Sequence, residues 1–321
     1  MVFGFVEGYL SYRDPYTLVH QKGFFGPHEF LGSAPPPSEH FFARRYFKSE
    51  LLYDVIYTID PHGLRVSSYE DNSNPDTKAV FFFGCSFTFG VGLNDDETVP
   101  YLVADKSNGK YVTYNFAFGG YGPHHMLAAF ENRLENKVAT RKPEYIIYQA
   151  LLDHVKRSAG KVPYFYSSPR YVLNQYGDVV FTGRFGDGII RKALWSLKKS
   201  HILEHTLFNS SITTDDIDLF VAIIDNAKHI VESRYPGSEF HVLYWDRPLD
   251  SKNIDVLRKL HDKTINVHLI SRILKDEMCK YTIPRDGHPN AYANKLIAEY
   301  VTKNILDHPQ KGDRASQSKH D

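Results

Sequence analysis

The stretch FFFGCSFTFGVGLNDDETVP, residues 81–100, decides how this chain folds. It opens inside an unbroken apolar run, 79–83, and then breaks into glycines at Gly84, Gly90 and Gly92. A short run without polar alternation is what a strand covered on both faces requires. Runs of the same type recur at 112–118, 145–151, 239–245 and 267–270, and helical segments separate most of them. One helix begins at Pro123, since proline suits the first helical position, and carries a stripe of Met126, Leu127, Phe130, Leu134 and Val138. Another spans 291–305, with Leu296, Ile297, Tyr300 and Val301 inward. Strands alternating with helices specify an α/β fold, a parallel sheet with helices on both faces.

Outward from that repeat, the flanks read differently. Residues 1–75 are rich in Tyr, Phe, Pro and Gly and lack helical periodicity, which predicts a β-rich N-terminal cap. Within it, 53–66 reads as strand, turn at 60–63, and strand. The main domain is then 76–307, interrupted by an insertion at about 158–236. That insertion holds a hairpin turning at Asn174–Gly177 and two helices, near 189–208 and 214–235. Residues 308–321 are polar and unpatterned, as in a disordered tail.

Composition narrows the function classes. The 321 residues are 42% apolar and 24% charged, enough to build a full core. Thirty-eight basic residues cancel thirty-eight acidic ones, so no net field gathers nucleic acid or anionic lipid. Two cysteines, Cys85 and Cys279, exclude a disulfide scaffold and a four-cysteine zinc site. No apolar run approaches the ~20 residues that span a bilayer. The N-terminus has no basic segment and Glu7 interrupts its apolar stretch, so it does not read as a signal peptide. Localisation is left open: periplasmic or secreted if an upstream signal has been removed, otherwise cytoplasmic.

The chemistry gathers at strand ends. Ser86 follows the first buried strand on a glycine-permitted turn, which exposes a hydroxyl beside its own backbone N–H. The second strand runs into NFAFGGYGPHH, residues 115–125, where the N–H of Gly120 can point into the same crevice. The third ends in ALLDHVKRS, residues 150–158, leaving Asp153 and His154 where the apolar run stops. Near the C-terminus, RDGHPNAYAN places Asp286 and His288 on a loop before the last helix, with Asn290 as its N-cap. A histidine there can reach a serine across the sheet, and Asp286 can orient its ring.

These segments, in this order, resemble the SGNH (GDSL-type) serine hydrolase family. Its G-D-S-x-T-x-G block is similar to Gly84–Gly90, its backbone glycine falls on Gly120, and its closing Asp and His fall on Asp286 and His288. The resemblance covers about 78–155 and 238–303. It implies a three-layer α/β/α flavodoxin-like sheet, no cofactor, no metal, Ser86 as nucleophile, His288 as general base and Asp286 as its orienter. The chain departs from the pattern at three places. Cys85 stands where the family has Asp, and Asp286 lies two rather than three residues before His288. Asp153 occupies the position of an Asn whose amide donates to the oxyanion. Three arrangements of the oxyanion hole follow: a protonated Asp153 donates, or His154 does, or the N–H groups of Ser86 and Gly120 act alone.

The expected activity is hydrolysis of small acyl esters through an acyl-enzyme, with O-acetyl groups on a carbohydrate as a plausible substrate. The same residues would serve an O-acyltransferase, and a carbohydrate-binding or polysaccharide-assembly module could retain the cleft without activity. Oligomeric state is not readable. His124 and His125 read as a polar helix start rather than metal ligands, because adjacent helical positions point ~100° apart. Lys156 and Arg157 read as a solvated face, Trp195 and Trp245 as packing residues, and Cys279 as a small buried filler.

Overall fold

A computed structural model describes residues 16–67, 74, 76–162, 166–188 and 211–307. The N-terminal strands are β1 (Tyr16–His20), β2 (Gly26–His28), β3 (Gly32–Ala34), β4 (His40–Phe47) and β5 (Glu50–Thr58). The central strands are β6 (Lys78–Phe83), β7 (Tyr111–Asn115) and β8 (Pro143–Leu151). A hairpin of β9 (Pro169–Leu173) and β10 (Val179–Arg184) follows, and β11 (Glu239–Trp245) and β12 (Asn266–Leu269) complete the set. The helices are α1 (Val99–Lys106), α2 (Pro123–Glu131), α3 (Asp153–Ser158), α4 (Thr214–Arg234), α5 (Ser251–Asp262) and α6 (Ala291–Val301).

Five of these strands form one sheet in the order β7-β6-β8-β11-β12, all parallel. This is the flavodoxin-like order expected. The apolar runs have the cause assigned to them. Ala79, Phe81 and Phe83 of β6 enter one core with α2, α4 and α5, while Val80 and Phe82 enter the other with α1 and α6. Burying each of the larger side chains, the Val and the Phe residues, contributes roughly 1.5–3 kcal/mol, which is why polar alternation is absent. The chain leaves β6 toward α1 on one face and leaves β8 toward α3 and α4 on the other. Adjacent strands whose connections diverge open a crevice at their carboxyl ends. Ser86 lies at its lip.

The N-terminal region is a three-stranded antiparallel sheet, β1-β4-β5, with β2 and β3 as a separate pair. Its aromatics form a third core: Phe24, Phe41, Tyr53 and Tyr57 pack against Phe89, Phe118, Tyr121 and Ile283. Those partners lie on the loops beyond the carboxyl ends of the main sheet, so this small sheet covers one rim of the crevice. The turn at Asp60–Gly63 is present, closed by Gly63 N–H to Asp60 O at 3.1 Å, but the strand expected after it is reduced to single bridges at Arg65.

Other boundaries also differ from the expectation. The hairpin turns at Asn174–Gly177 as read, with Asn174 Oδ1 accepting from the N–H groups of Tyr176 and Asp178. The insertion does not extend to 236, however. α4 buries Ile217, Phe220, Ile223, Ile224 and Val231 in the main core, which makes it the crossover helix between β8 and β11. The helix expected near 189–208, including Trp195, and the tail 308–321 lie outside the described residues. α2 stops at Glu131, because Arg133 takes a left-handed φ of 53°. No described helix is long and apolar enough to cross a membrane.

Candidate active site

The Ser86 turn is built by packing three strand ends together. Ser86 opens a single helical turn, Ser86–Phe89, directly after β6, so its N–H has no intrahelical acceptor. A Cβ on Gly84 would sit 2.1 Å from Thr88 Oγ1, and glycine is what allows that approach. The Thr88 hydroxyl donates to Gln149 Oε1 of β8 at 2.6 Å, and Asn115 Nδ2 of β7 donates to the Thr88 carbonyl at 3.1 Å. Cys85 is buried, with its Sγ 3.9 Å from Ser86 Oγ. The small thiol thus fills the position where the resemblance would place a carboxylate.

The second loop carries Gly120 at φ 79°, a left-handed conformation natural to glycine. Its N–H donates to no backbone acceptor among the described residues. The third segment brings in His288. Ile283 N–H donates to His288 O at 2.8 Å and Gly287 N–H to Ile283 O at 3.2 Å, closing a tight loop with Arg285 and Gly287 at left-handed φ. That closure accounts for the short spacing from Asp286 to His288. Asp286 Oδ1 accepts from both the Nδ1–H of His288 and its backbone N–H. The Asp286 side chain is wholly buried. Burial alone would raise its proton affinity, but the His288 hydrogen bonds and the Arg45 charge outweigh it and hold the carboxyl below its ordinary value. A carboxylate depressed in the folded state stabilises it above the unfolded value near 4, and that stability is lost as pH falls through the lower folded value.

Phe87 links the two chemical ends. Its ring packs edge-on against His288 at 5.5 Å and against Trp245 at 5.0 Å. Trp245 is therefore a packing residue, as read, and also a wall of the site. The Ser86 hydroxyl and the His288 ring do not hydrogen-bond to one another in this structure, a separation common before substrate tightens such a site.

The third oxyanion donor requires a correction. Asp153, at the start of α3, accepts from Arg157 Nε at 2.7 Å and pairs with Nη2 at 2.6 Å. A carboxylate oxygen committed to a guanidinium serves as an acceptor, not as the amide-type donor the oxyanion would need. His154 is buried behind the turn, its Nδ1 bonded to Tyr148 OH at 2.6 Å, so it does not reach the crevice either. Burial, with the Arg157 charge, holds it well below the usual imidazole range and therefore neutral. Arg157 itself is buried rather than a solvated face, and its Nη1 donates to Tyr121 O at 2.8 Å. Nothing in its own sequence context signals this, because an arginine at that spacing usually faces water.

His124 and His125 are buried as well. His125 accepts from Gly122 N–H at Nδ1 and meets Ser168 Oγ with Nε2, while burial and Arg157 pull His124 down to about 3. No group of three or more metal-ligating side chains occurs among the described residues. Cys279 is exposed, against expectation, beside Glu277. A roomy apolar cavity of about 820 Å³ lies between Phe30, Leu31, Phe116 and Val138, and neither Ser86 nor His288 lines it. Volume and chemistry thus point to different places, and the hydrogen-bonded acid–histidine pair is the stronger marker of reactivity.

No family model matches the sequence, and no curated protein matches it. Among solved structures, the chain is similar to a protein of the G-D-S-L family from Desulfitobacterium hafniense, 14% identical over 70% of this chain and 98% of that one, TM-score 0.40. An acetyl xylan esterase from the rumen bacterium Butyrivibrio proteoclasticus is 13% identical over 74% of this chain and 65% of that one, TM-score 0.42. A family two carbohydrate esterase from Clostridium thermocellum, in complex with cellohexaose, is 13% identical over 74% and 65%, TM-score 0.43. At these distances the functional reading rests on the residues of the chain itself.

Proposed function

We propose that this protein is a serine esterase of the SGNH type that cleaves small acyl esters, O-acetyl groups on carbohydrate among them. The observation that carries the reading is the Asp286–His288 pair, hydrogen-bonded and packed on Phe87, the residue next to the strand-end serine. In this mechanism His288, its Nδ1–H held by Asp286, takes the proton of Ser86 Oγ as the oxygen attacks the ester carbonyl. The developing oxyanion is held by the N–H groups of Ser86 and Gly120. His288 then passes the proton to the leaving alcohol, and water, activated by the same ring, releases the acid. Aryl fluorophosphonate is the direct test. Stoichiometric labelling of Ser86 is the expected result, and an unlabelled serine with measurable glycan binding would favour a non-catalytic module.

In this reading Asp153 acts at one remove. It fixes Arg157, which grips the Tyr121 carbonyl and with it the turn carrying Gly120. Arg157→Ala should lower kcat by roughly 10²-fold, the scale of a misplaced catalytic group, with little change in KM. Asp153→Asn removes only a partly exposed ion pair worth about 0–1 kcal/mol, so kcat should change less than about fivefold and the pH profile should keep its shape. Steady-state kinetics on p-nitrophenyl acetate decides both. A large gain on introducing asparagine would restore the side-chain donor idea.

A further inference from the structure

Asp286 has a second oxygen, and what faces it comes from the other end of the chain. Oδ1 serves His288, while Oδ2 is buried and receives no aligned hydrogen bond. Burying an ionised carboxylate without a counter-charge is costly. The counter-charge is Arg45 of β4, whose Nη1 lies 3.1 Å from Oδ2. Its guanidinium is itself held in place, over the ring of Tyr16 at 5.0 Å and beside the Tyr53 hydroxyl. Among the described residues, the other titratable groups facing the carboxylate are phenols, Tyr53 and Tyr57 of β5. Arg285, the cation on the same loop, is turned away: it pairs with Glu50 and stacks over Phe47 at 4.4 Å.

We propose that Arg45 is a positioning residue of the catalytic site, a guanidinium supplied by the N-terminal sheet that fixes the Asp286 carboxylate with Oδ1 toward His288 and sets the charge balance of the pair. This rests on the esterase reading above. The sheet that covers the crevice rim is then part of the reaction apparatus. A positive charge behind the acid disfavours adding a proton to the hydrogen-bonded pair in front of it. Removing it should favour the protonated, inactive pair.

The test is the pH dependence of kcat/KM on p-nitrophenyl acetate for wild type, Arg45→Met, Arg45→Gln and Arg45→Lys, with fluorophosphonate labelling of Ser86 alongside. Both neutral variants should move the acid limb upward by about one pH unit, the scale of one nearby charge. Arg45→Lys should keep the limb near its wild-type position while kcat stays reduced, because an ammonium restores charge but not the planar fork. Arg45→Gln keeps a polar, donating end should the methionine variant fail to fold. An acid limb that stays in place in both neutral variants, with Ser86 still labelled, would show a merely structural role and overturn the proposal. Wild-type Ser86 that fails to label overturns the esterase reading and this inference together.

Discussion

Ser86→Ala should abolish labelling by aryl fluorophosphonate and lower kcat on p-nitrophenyl acetate by about 10³–10⁶-fold, with KM little changed. The magnitude follows from the way acid, base and nucleophile act as a unit: removing the attacking oxygen leaves the other two nothing to activate. The activity left over would come from the oxyanion donors and from binding, and in the proposed mechanism those donors are backbone groups. The substitution deletes a side chain without touching the Ser86 N–H or the φ of Gly120, so that residue of activity should survive. The fold should survive as well. Ser86 Oγ contributes only a weak contact to Cys85 Sγ, while the turn is held by Thr88, Gln149 and Asn115. A Ser86→Ala protein with wild-type rate and wild-type thermal stability would remove the nucleophile assignment outright.

The largest effect on stability is expected at Arg65, which nothing in the sequence singles out. Its side chain is almost wholly buried, with Nη1 donating to the carbonyls of Phe89 and Gly90 at 2.8 and 2.7 Å and Nη2 to that of Leu93 at 2.6 Å. Nε donates to Asp95 Oδ1 at 3.1 Å, and the guanidinium lies over the rings of Tyr57 and Phe89 at 4.5 and 4.8 Å. Burial lowers its proton affinity and Asp95 opposes that. Arg65→Met should lower the unfolding free energy by about 3–5 kcal/mol, since it removes at once the guanidinium donors to three carbonyls and the counter-charge of Asp95, which would keep the Thr58 N–H but lose its cation. Arg65→Lys should recover little, because one ammonium cannot reach all four acceptors. Urea unfolding with an unchanged slope checks this, and a loss under about 1 kcal/mol would mean that the loop relaxes to water instead.

The sheet strands were legible because covering both faces leaves a contiguous apolar signature that needs no knowledge of partners. The candidate residues Ser86 and Gly120 stand out for a related reason, since each follows the end of such a run, and His288 stands out on the loop before the last helix. What the pattern could not carry was partnership. The helix at 214–235 was visible, but a helix does not announce which sheet it packs on, so α4 was read as part of an insertion. Arg45, Arg65 and Arg157 resemble solvated arginines at the level of local composition, and each is defined by acceptors elsewhere in the chain. Asp153 was placed correctly as a strand-end carboxylate, but its role turned on a neighbour four residues later that it holds by an ion pair.

The contacts between the N-terminal sheet and the histidine loop join residues from opposite ends of the chain: Tyr16 OH donates to Arg285 O across 269 positions, and Arg285 pairs with Glu50 across 235. Contacts of such separation close late, since the loop entropy must be met before they reward folding. Most of the docking face of the small sheet, Phe89, Phe118 and Tyr121, lies on nearer loops, so the histidine loop is the part of that contact with the longest separation to close. Under the esterase reading, the acid–histidine pair is assembled against Arg45 only once that contact closes, so turnover would report completed folding more stringently than helix content or compactness could.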